Sequence, residues 1–233
     1  MTEFRPRPFQ MIPPVIKNLL IINVLIFLAQ QAFGDNTELR ISSMFGLHDV
    51  HSVYFRIYQV VTYMFLHGGW EHIIFNMFAL WMFGSVLENY WGSKRFLIFY
   101  MVCGIGAAIC DLGVMYLANA HLLADLNSPF LTQEHAEDIY STLNSPTIGA
   151  SGAIFGCLAG FGFLFPNSEI LILPIPFPVK AKWVVLGYGA IELFAGFRSS
   201  PGDNVAHWAH LGGALFGILL CIYWKRSNRR NSY

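Results

Sequence analysis

The sequence predicts an all-α membrane protein, a bundle of six membrane-spanning helices that forms one domain over residues 1–233. Of its 233 residues, 55% are hydrophobic and 12% are charged, which is too apolar for a soluble domain to bury in one core. The basic residues also fall in alternate connections between apolar segments, as is typical of multi-pass membrane proteins. Lipid is therefore the expected solvent for much of the chain.

Each predicted helix is an apolar segment that approaches the length of about 20 residues needed to span a bilayer. The segments are 15–33, 70–88, 96–118, 149–165, 181–197 and 205–224, of which the fourth and fifth are short. The first is long for a signal peptide and contains Lys17, so we interpret it as a retained span. The stretch 170–178 holds three prolines, which forbid a continuous helix and indicate an interfacial connector.

The distribution of Lys and Arg predicts the orientation of the bundle. Most of these residues lie in the N-terminal segment, the second and fourth connections and the C-terminal tail, and these parts should be cytoplasmic. The third connection, 119–148, contains acidic residues but no Lys or Arg. We therefore expect both termini in the cytoplasm, and the second, fourth and sixth spans beginning at the outer face.

Charge and cysteine content exclude some classes of function. Lys plus Arg equals Asp plus Glu at 14 each, so we expect no nucleic-acid partner. The cysteines lack CxxC or CxxH spacing, which argues against a disulfide framework and against a zinc cluster. We expect them to be small core residues: Cys103, Cys110, Cys157 and Cys221.

Unusual polar residues cluster where the second, fourth and sixth spans begin. Polar groups within spans are costly and usually face the protein interior, so three clusters at matching depth predict one shared site. The clusters are His67, His72 and Asn76 at the start of the second span, Gly149 to Gly152 with Ser151 at the start of the fourth, and His207 and His210 at the start of the sixth.

Glycine spacing predicts how the fourth and sixth spans meet. Small residues repeat every four positions on each, at Gly152, Gly156 and Gly160 and at Gly213 and Gly217. If these faces pack, the helix backbones approach closely and a serine and a histidine near their outer ends come within hydrogen-bond reach. Each motif has another interpretation by itself, because serine is common in packing ridges and a lone histidine often bonds a backbone carbonyl.

His72 and Asn76 lie four residues apart, so both project from one helix face. Two donors aimed at one point, with the backbone N–H of Ser151, are what a developing oxyanion requires. The alternative is that they only form hydrogen bonds between helices. His67 precedes the helix and is interpreted as ordering a loop.

Two acids lie inside predicted spans, Asp111 and Glu192. We interpret both as hydrogen-bonded structural groups, with Glu192 lining the site as the alternative. Neither is clearly placed to orient His210, so the sequence predicts a Ser–His dyad and not a triad.

These motifs, in this order, resemble those of the rhomboid family of intramembrane serine proteases. The segment H-G-G-W-E-H-I-I-F-N, 67–76, resembles the family's H-x-x-x-x-H-x-x-x-N pattern, G-A-S-G at 149–152 its nucleophile motif, and A-H-L-G-G at 209–213 its base motif. Gly84, Glu88 and Gly92 resemble its G-x-x-x-E-x-x-x-G pattern. The resemblance covers residues 54–223, and the first predicted span, 15–33, lies before this region.

The resemblance implies a six-helix rhomboid-type fold and a serine endopeptidase that cuts transmembrane protein substrates within the lipid bilayer. It implies that Ser151 is the nucleophile, and that His210 and not His207 is the base because only His210 has the A-H-x-x-G context. It further implies that His72 and Asn76 support the oxyanion, and that no metal or organic cofactor takes part.

Two positions depart from the family pattern. Many members carry a Trp-Arg pair in the first outer loop where this chain has Tyr58 and Gln59, which leaves the anchoring of that loop open. Many bacterial members have Tyr four residues after the serine, where this chain has Phe155. An aromatic face can still pack on the His210 ring, but a hydroxyl contact cannot form.

Substrate entry is expected to involve movement of the fifth span and of the loop 198–204, where Pro201 and Gly202 mark a turn. The compact six-span form suggests a bacterial cell membrane. Two other functions stay open: a rhomboid-like protein without protease activity that binds membrane helices, and a transporter or metal-binding protein that uses His67, His72, His207 and His210.

Overall fold

The computed structural model describes residues 9–33, 41–126, 128, 131–171, 177–198 and 206–230, which are mostly helical. The helices are α1 Pro14–Ala32, α2 Ile41–Phe45, α3 Gln59–Thr62, α4 Trp70–Ala79, α5 Ser85–Trp91, α6 Ser93–Asp125, α7 Gln133–Asn144, α8 Ser151–Leu164, α9 Ala181–Arg198 and α10 His207–Arg230. A 3₁₀ turn, Tyr63–Phe65, follows α3, and a π-helical turn, Leu80–Gly84, joins α4 to α5. Strand β1, Glu169–Ile170, pairs antiparallel with β2, Val179–Lys180.

Four helices in the described ranges are long and apolar enough to cross a membrane: Pro14–Ala32, Trp70–Trp91, Ser93–Asp125 and His207–Ser227. They correspond to the predicted first, second, third and sixth spans. The fourth and fifth predicted segments are occupied by the shorter α8 and by α9. The predicted connection 119–148 is largely helical, because α6 runs on to Asp125 and α7 follows. The loop 198–204 lies, apart from its first residue, outside the described residues.

Glu88 ties the start of α1 to the junction between α5 and α6. Its Oε1 accepts hydrogen bonds from the Val15 N–H at 3.0 Å and the Ser93 hydroxyl at 2.6 Å. Its Oε2 accepts from the Ile16 N–H at 2.9 Å. First-turn N–H groups have no partner within their own helix, and the N-terminal end of a helix attracts negative charge. The buried carboxylate therefore caps α1.

Gly84 and Gly92, which flank Glu88 in the G-x-x-x-E-x-x-x-G pattern, shape the same region where α1, α5 and α6 meet. A Cβ on Gly84 would collide with the side chain of Ile16 on α1, so glycine lets the two helices approach. Gly92 has φ +79°, a left-handed conformation that favours glycine and turns the chain from α5 into α6. The G-x-x-x-E-x-x-x-G pattern is thus explained by helix packing and capping.

Gln59 anchors the loop between α2 and α3, at one of the two positions that depart from the rhomboid pattern. Its side chain is fully buried, and its amide nitrogen donates to the carbonyls of Met44 at 3.2 Å and Tyr54 at 2.9 Å. Its amide oxygen accepts from the Arg56 N–H at 3.1 Å, and the Tyr58 hydroxyl donates to the Met44 carbonyl. Tyr58 and Gln59, the two residues that differ from the family pattern, therefore both help to hold this loop in place.

Helix α8 lies at the centre of the bundle, in contact with α4, α5, α6, α9 and α10. Most of its residues are buried, and a Cβ on Gly160 would lie 2.7 Å from Phe99 of α6. Its 14 residues rise about 21 Å, less than the hydrocarbon core of about 30 Å. By length alone, α8 is too short to cross that layer from one surface to the other.

The predicted contact between the glycine faces of α8 and α10 is present. A Cβ on Gly213 would overlap the carbonyl oxygen of Gly152, and a Cβ on Gly217 would lie 2.9 Å from that of Gly156. The two backbones therefore touch at successive turns, which only residues without a side chain permit. The four cysteines are free; Cys103, Cys157 and Cys221 are buried, as expected of small core residues, whereas Cys110 is only half-buried.

Replacing Gly213 with leucine should force α8 and α10 apart. Because even a Cβ at this position overlaps backbone, we expect the Gly213→Leu protein to lose at least about 1–3 kcal/mol of stability. Gly156→Leu should act similarly. Thermal unfolding in detergent measures the effect. Gly113→Leu on α6 is the control, since no atom lies within 4 Å of a Cβ there. Equal stability of Gly213→Leu and Gly113→Leu would contradict the close contact.

Candidate active site

The segment that leads into α8 is held from three directions. Thr147 forms an antiparallel bridge with Leu47, with backbone hydrogen bonds of 2.9 and 2.8 Å. The Thr147 hydroxyl donates to Asp111 Oδ2 at 2.8 Å, and the Gly149 N–H donates to the Tyr63 carbonyl at 3.0 Å. Asp111 is thus a hydrogen-bonded structural group, as interpreted from the sequence. These bonds fix where α8 begins.

Gly149 requires its glycine for two reasons. Its φ of +138° is strained for any residue with a side chain. A Cβ there would also lie 3.0 Å from the His72 ring and 3.4 Å from Ser151 Oγ. The imidazole of His72 and the hydroxyl of Ser151 therefore flank the same point in space.

Ser151 and His210 meet at the starts of their helices. His210 Nε2 lies 2.7 Å from Ser151 Oγ, a short hydrogen bond. Phe155, one turn after Ser151, stacks on the His210 ring with centroids 4.2 Å apart and planes 6° from parallel. The aromatic packing expected for Phe155 is confirmed, and it limits the rotation of the imidazole.

His72 and Asn76 offer donors on the α4 face beside this pair. The Gly68 N–H donates to His72 Nδ1 at 3.2 Å, so a neutral His72 ring carries its hydrogen on Nε2. Asn76 is buried, and its Nδ2 has no hydrogen-bond partner within the described part of the chain. A buried donor left unbonded is costly unless something else occupies it, which is compatible with binding an anionic oxygen.

His67 is held by its backbone. Its N–H donates to Gln30 Oε1 at 3.0 Å, and its carbonyl accepts from Gln30 Nε2 at 3.2 Å. The ring is buried with its centroid 5.1 Å from that of His72. Burial, with a smaller contribution from His72, lowers the pKa of His67 to about 3, so this ring is neutral. These contacts fit the interpretation that His67 orders a loop.

Glu192, on α9, reaches both histidines at the start of α10. Its Oε2 lies 2.6 Å from His207 Nδ1 and 3.0 Å from His210 Nδ1. The bond to His207 is well aligned, whereas the contact to His210 is short in distance but poor in angle. Sequence reasoning did not assign this contact. Its one signal was an acid within an apolar helix, and nothing in the sequence places α9 against α10.

The same three side chains have the composition of a metal site. Their ligand atoms lie within 4.8 Å of one another, and two histidines with one glutamate are a common zinc set. At 2.6 Å, however, the His207–Glu192 contact is already a direct hydrogen bond, and a metal ion would have to separate the two groups.

A cavity of about 1160 Å³ adjoins the site. Its walls come from the start of α4, α6, the segment before α8 and the start of α10, and they include His72, Asp111, Thr147 and His207. The cavity has room for water beside otherwise apolar helices.

A family model described as the Rhomboid domain matches residues 54–227. The chain is 31% identical over 169 residues to mitochondrial Rhomboid protein 1 of Saccharomyces cerevisiae, covering 72% of this chain and 42% of that protein. It is 27% identical to rhomboid protease AarA of Providencia stuartii, covering 88% of this chain and 70% of that protein. It is 28% identical to rhomboid protease GluP of Bacillus subtilis, covering 89% of this chain and 35% of that protein.

The chain thus spans less than half the length of two of these three relatives. The family match takes in all of the motifs described above, from the segment before α4 to the start of α10, and well over half of the residues. The chain therefore belongs to the rhomboid family.

Proposed function

We propose that this protein is an intramembrane serine endopeptidase, which hydrolyses a peptide bond in or near the transmembrane segment of other membrane proteins. The observation that carries the proposal is the 2.7 Å hydrogen bond between Ser151 Oγ and His210 Nε2 in a rhomboid chain. Two relatives, AarA and GluP, are named rhomboid proteases. The presence of both Ser151 and His210 argues against a rhomboid-like protein without activity.

The first half of the reaction is acylation of the serine. His210 Nε2 takes the proton of the Ser151 hydroxyl as Oγ attacks the scissile carbonyl carbon. The tetrahedral intermediate then collapses, the C–N bond breaks, and His210 returns the proton to the departing amine. The substrate fragment that contributed the scissile carbonyl stays bound to Ser151 as an ester.

The second half is hydrolysis of that ester. A water molecule from the adjoining cavity gives a proton to His210 while its oxygen attacks the ester carbonyl. Collapse of this second intermediate breaks the bond to Ser151 Oγ, which recovers its proton from His210. The products are a new carboxyl terminus and the free enzyme, and no cofactor is consumed.

Three kinds of donor are available for the negative oxygen of both intermediates. The first N–H groups of α8, including that of Ser151, lack partners within the helix and lie at its positive end. His72 offers Nε2–H and Asn76 offers Nδ2–H. Donors held in place before the reaction stabilise the developing charge without reorganisation.

The dyad predicts that single substitutions abolish the reaction. A fluorophosphonate should label the wild-type protein at Ser151, and both Ser151→Ala and His210→Ala should remove labelling and cleavage of a model membrane substrate. The reason is that the nucleophile needs a base within reach. Ser141→Ala and His135→Ala, on the exposed side of α7, are matched controls that should keep wild-type rates. Cleavage that persists in Ser151→Ala would overturn the proposal.

Oxyanion support by α4 predicts a loss of rate without a loss of binding. His72→Ala or Asn76→Ala should lower kcat by on the order of 10²-fold while KM stays close to wild type, since the oxyanion forms only during the reaction. Steady-state kinetics in liposomes measure both constants. Unchanged kcat in both variants would show that these residues only connect helices.

We also propose six spans, counting α8 and α9, with both termini in the cytoplasm. In a variant without the four native cysteines, an impermeant thiol reagent should label Ser141→Cys on α7 from outside and Arg226→Cys at the end of α10 only from inside, because basic residues stay cytoplasmic. External labelling of Arg226→Cys would contradict this orientation. The bacterial cell membrane stays a prediction, since the relatives include bacterial and mitochondrial proteins.

A metal-dependent function is the second candidate, favoured by the convergence of Glu192, His207 and His210. Of the four histidines considered from the sequence, the structure groups only His207 and His210 with this acid. Chelation separates the two candidates. Cleavage that vanishes with a chelator and returns with Zn²⁺ favours the metal, whereas fluorophosphonate-sensitive cleavage unaffected by chelation favours the serine mechanism.

A further inference from the structure

We propose that Glu192 is a positioning residue for His210, so that the reacting unit is Ser151, His210 and Glu192 in place of a dyad. This inference rests on the proposed function. It starts from the carboxylate oxygen of Glu192, which lies 3.0 Å from the nitrogen of His210 that faces away from the serine.

The first step is the tautomer of His210. To accept the serine proton, Nε2 must be unprotonated, so the hydrogen of the neutral ring has to sit on Nδ1. A carboxylate can only accept, and therefore Glu192 Oε2 beside Nδ1 favours a hydrogen at that position. Glu192 thereby selects the form of the ring that can act as a base.

The second step is charge. When His210 takes the proton from Ser151 it becomes a cation, although its side chain is only about 10% exposed. A buried unpaired cation is costly, and a carboxylate in contact with it offsets that cost. This stabilisation acts in the charged intermediate and is absent for the neutral resting ring.

The third step is how the carboxylate is held. His207 Nδ1 donates to Glu192 Oε2 at 2.6 Å, a bond that by itself ties α9 to α10. If Glu192 served only to join α9 to α10, its bond to His207 would be sufficient. The same oxygen nevertheless also lies against His210, and Phe155 holds the His210 ring in the plane that permits this.

The poor angle of the His210 contact fits a resting enzyme. Nδ1 of His210 is buried without an aligned hydrogen-bond partner in the described part of the chain, although Oε2 is within reach. Catalytic hydrogen bonds are often misaligned before substrate binds and tighten in the complex. A small rotation of the carboxylate would align the bond.

The test compares Glu192→Met, which removes both acceptor and charge, with Glu192→Gln, which can keep an acceptor, and Glu192→Asp, which keeps the carboxylate. We expect kcat of Glu192→Met to fall by roughly 10²-fold with KM within about twofold of wild type. Glu192→Gln should be intermediate, and Glu192→Asp should recover part of the loss. Glu137→Gln, at an exposed position on α7, is the matched control and should behave as wild type.

A second measurement reads the tautomer without using activity. Nitrogen NMR of ¹⁵N-histidine-labelled protein in nanodiscs should show His210 with its hydrogen on Nδ1 in the wild type and a shift toward Nε2 in Glu192→Met. Folded Glu192→Met with wild-type kcat, or with an unchanged tautomer, overturns the inference. If Glu192→Met does not fold, Glu192→Asp no better than Glu192→Gln overturns it. Cleavage by Ser151→Ala instead removes the proposed function itself.

Discussion

The contact between the backbones of α8 and α10 is the constraint on which the site depends. Gly152 directly follows Ser151, and Gly213 lies three residues after His210, so the two helices touch beside the hydrogen bond between these side chains. A hydrogen bond of 2.7 Å tolerates little displacement, and misplacement by about 1 Å can cost 10²-fold in rate. The other features, including the anchored segment before α8 and the stacked Phe155, refine a separation that the glycines already set.

Much of this arrangement could be predicted because its signals are local or periodic. Apolar length indicates the long helices, and a four-residue spacing places His72 and Asn76 on one face whatever the rest of the chain does. Glycine repeats occur on both helices, so the spacing alone indicated that the face with Gly152 and the face with Gly213 could pack together.

The features that could not be predicted depend on contacts between residues far apart in the sequence, or on where helices begin and end. Glu192 lies 18 residues before His210 on another helix, and no periodicity relates the two. Gln59 looked like a departure from a family pattern, yet its amide makes four of the loop's bonds, because an amide offers both donors and acceptors. The segment 119–148 was predicted only as a connection between spans, whereas it contains α7, whose start is capped by the Thr132 side chain accepting from the His135 N–H.

Under the proposed function, the shortness of α8 has a consequence for which substrate bond is cut. In the proposed six-span arrangement, a helix of about 21 Å that ends near the inner surface of a hydrocarbon layer of about 30 Å sets Ser151 below the outer surface, on the side where α4, α8 and α10 begin. A substrate helix is registered against the same surface by its own polar flanks. Bilayer thickness then shifts one register relative to the other. For the proposed protease, lipid composition would then help to set the position of the cut, independently of any side chain that the site recognises.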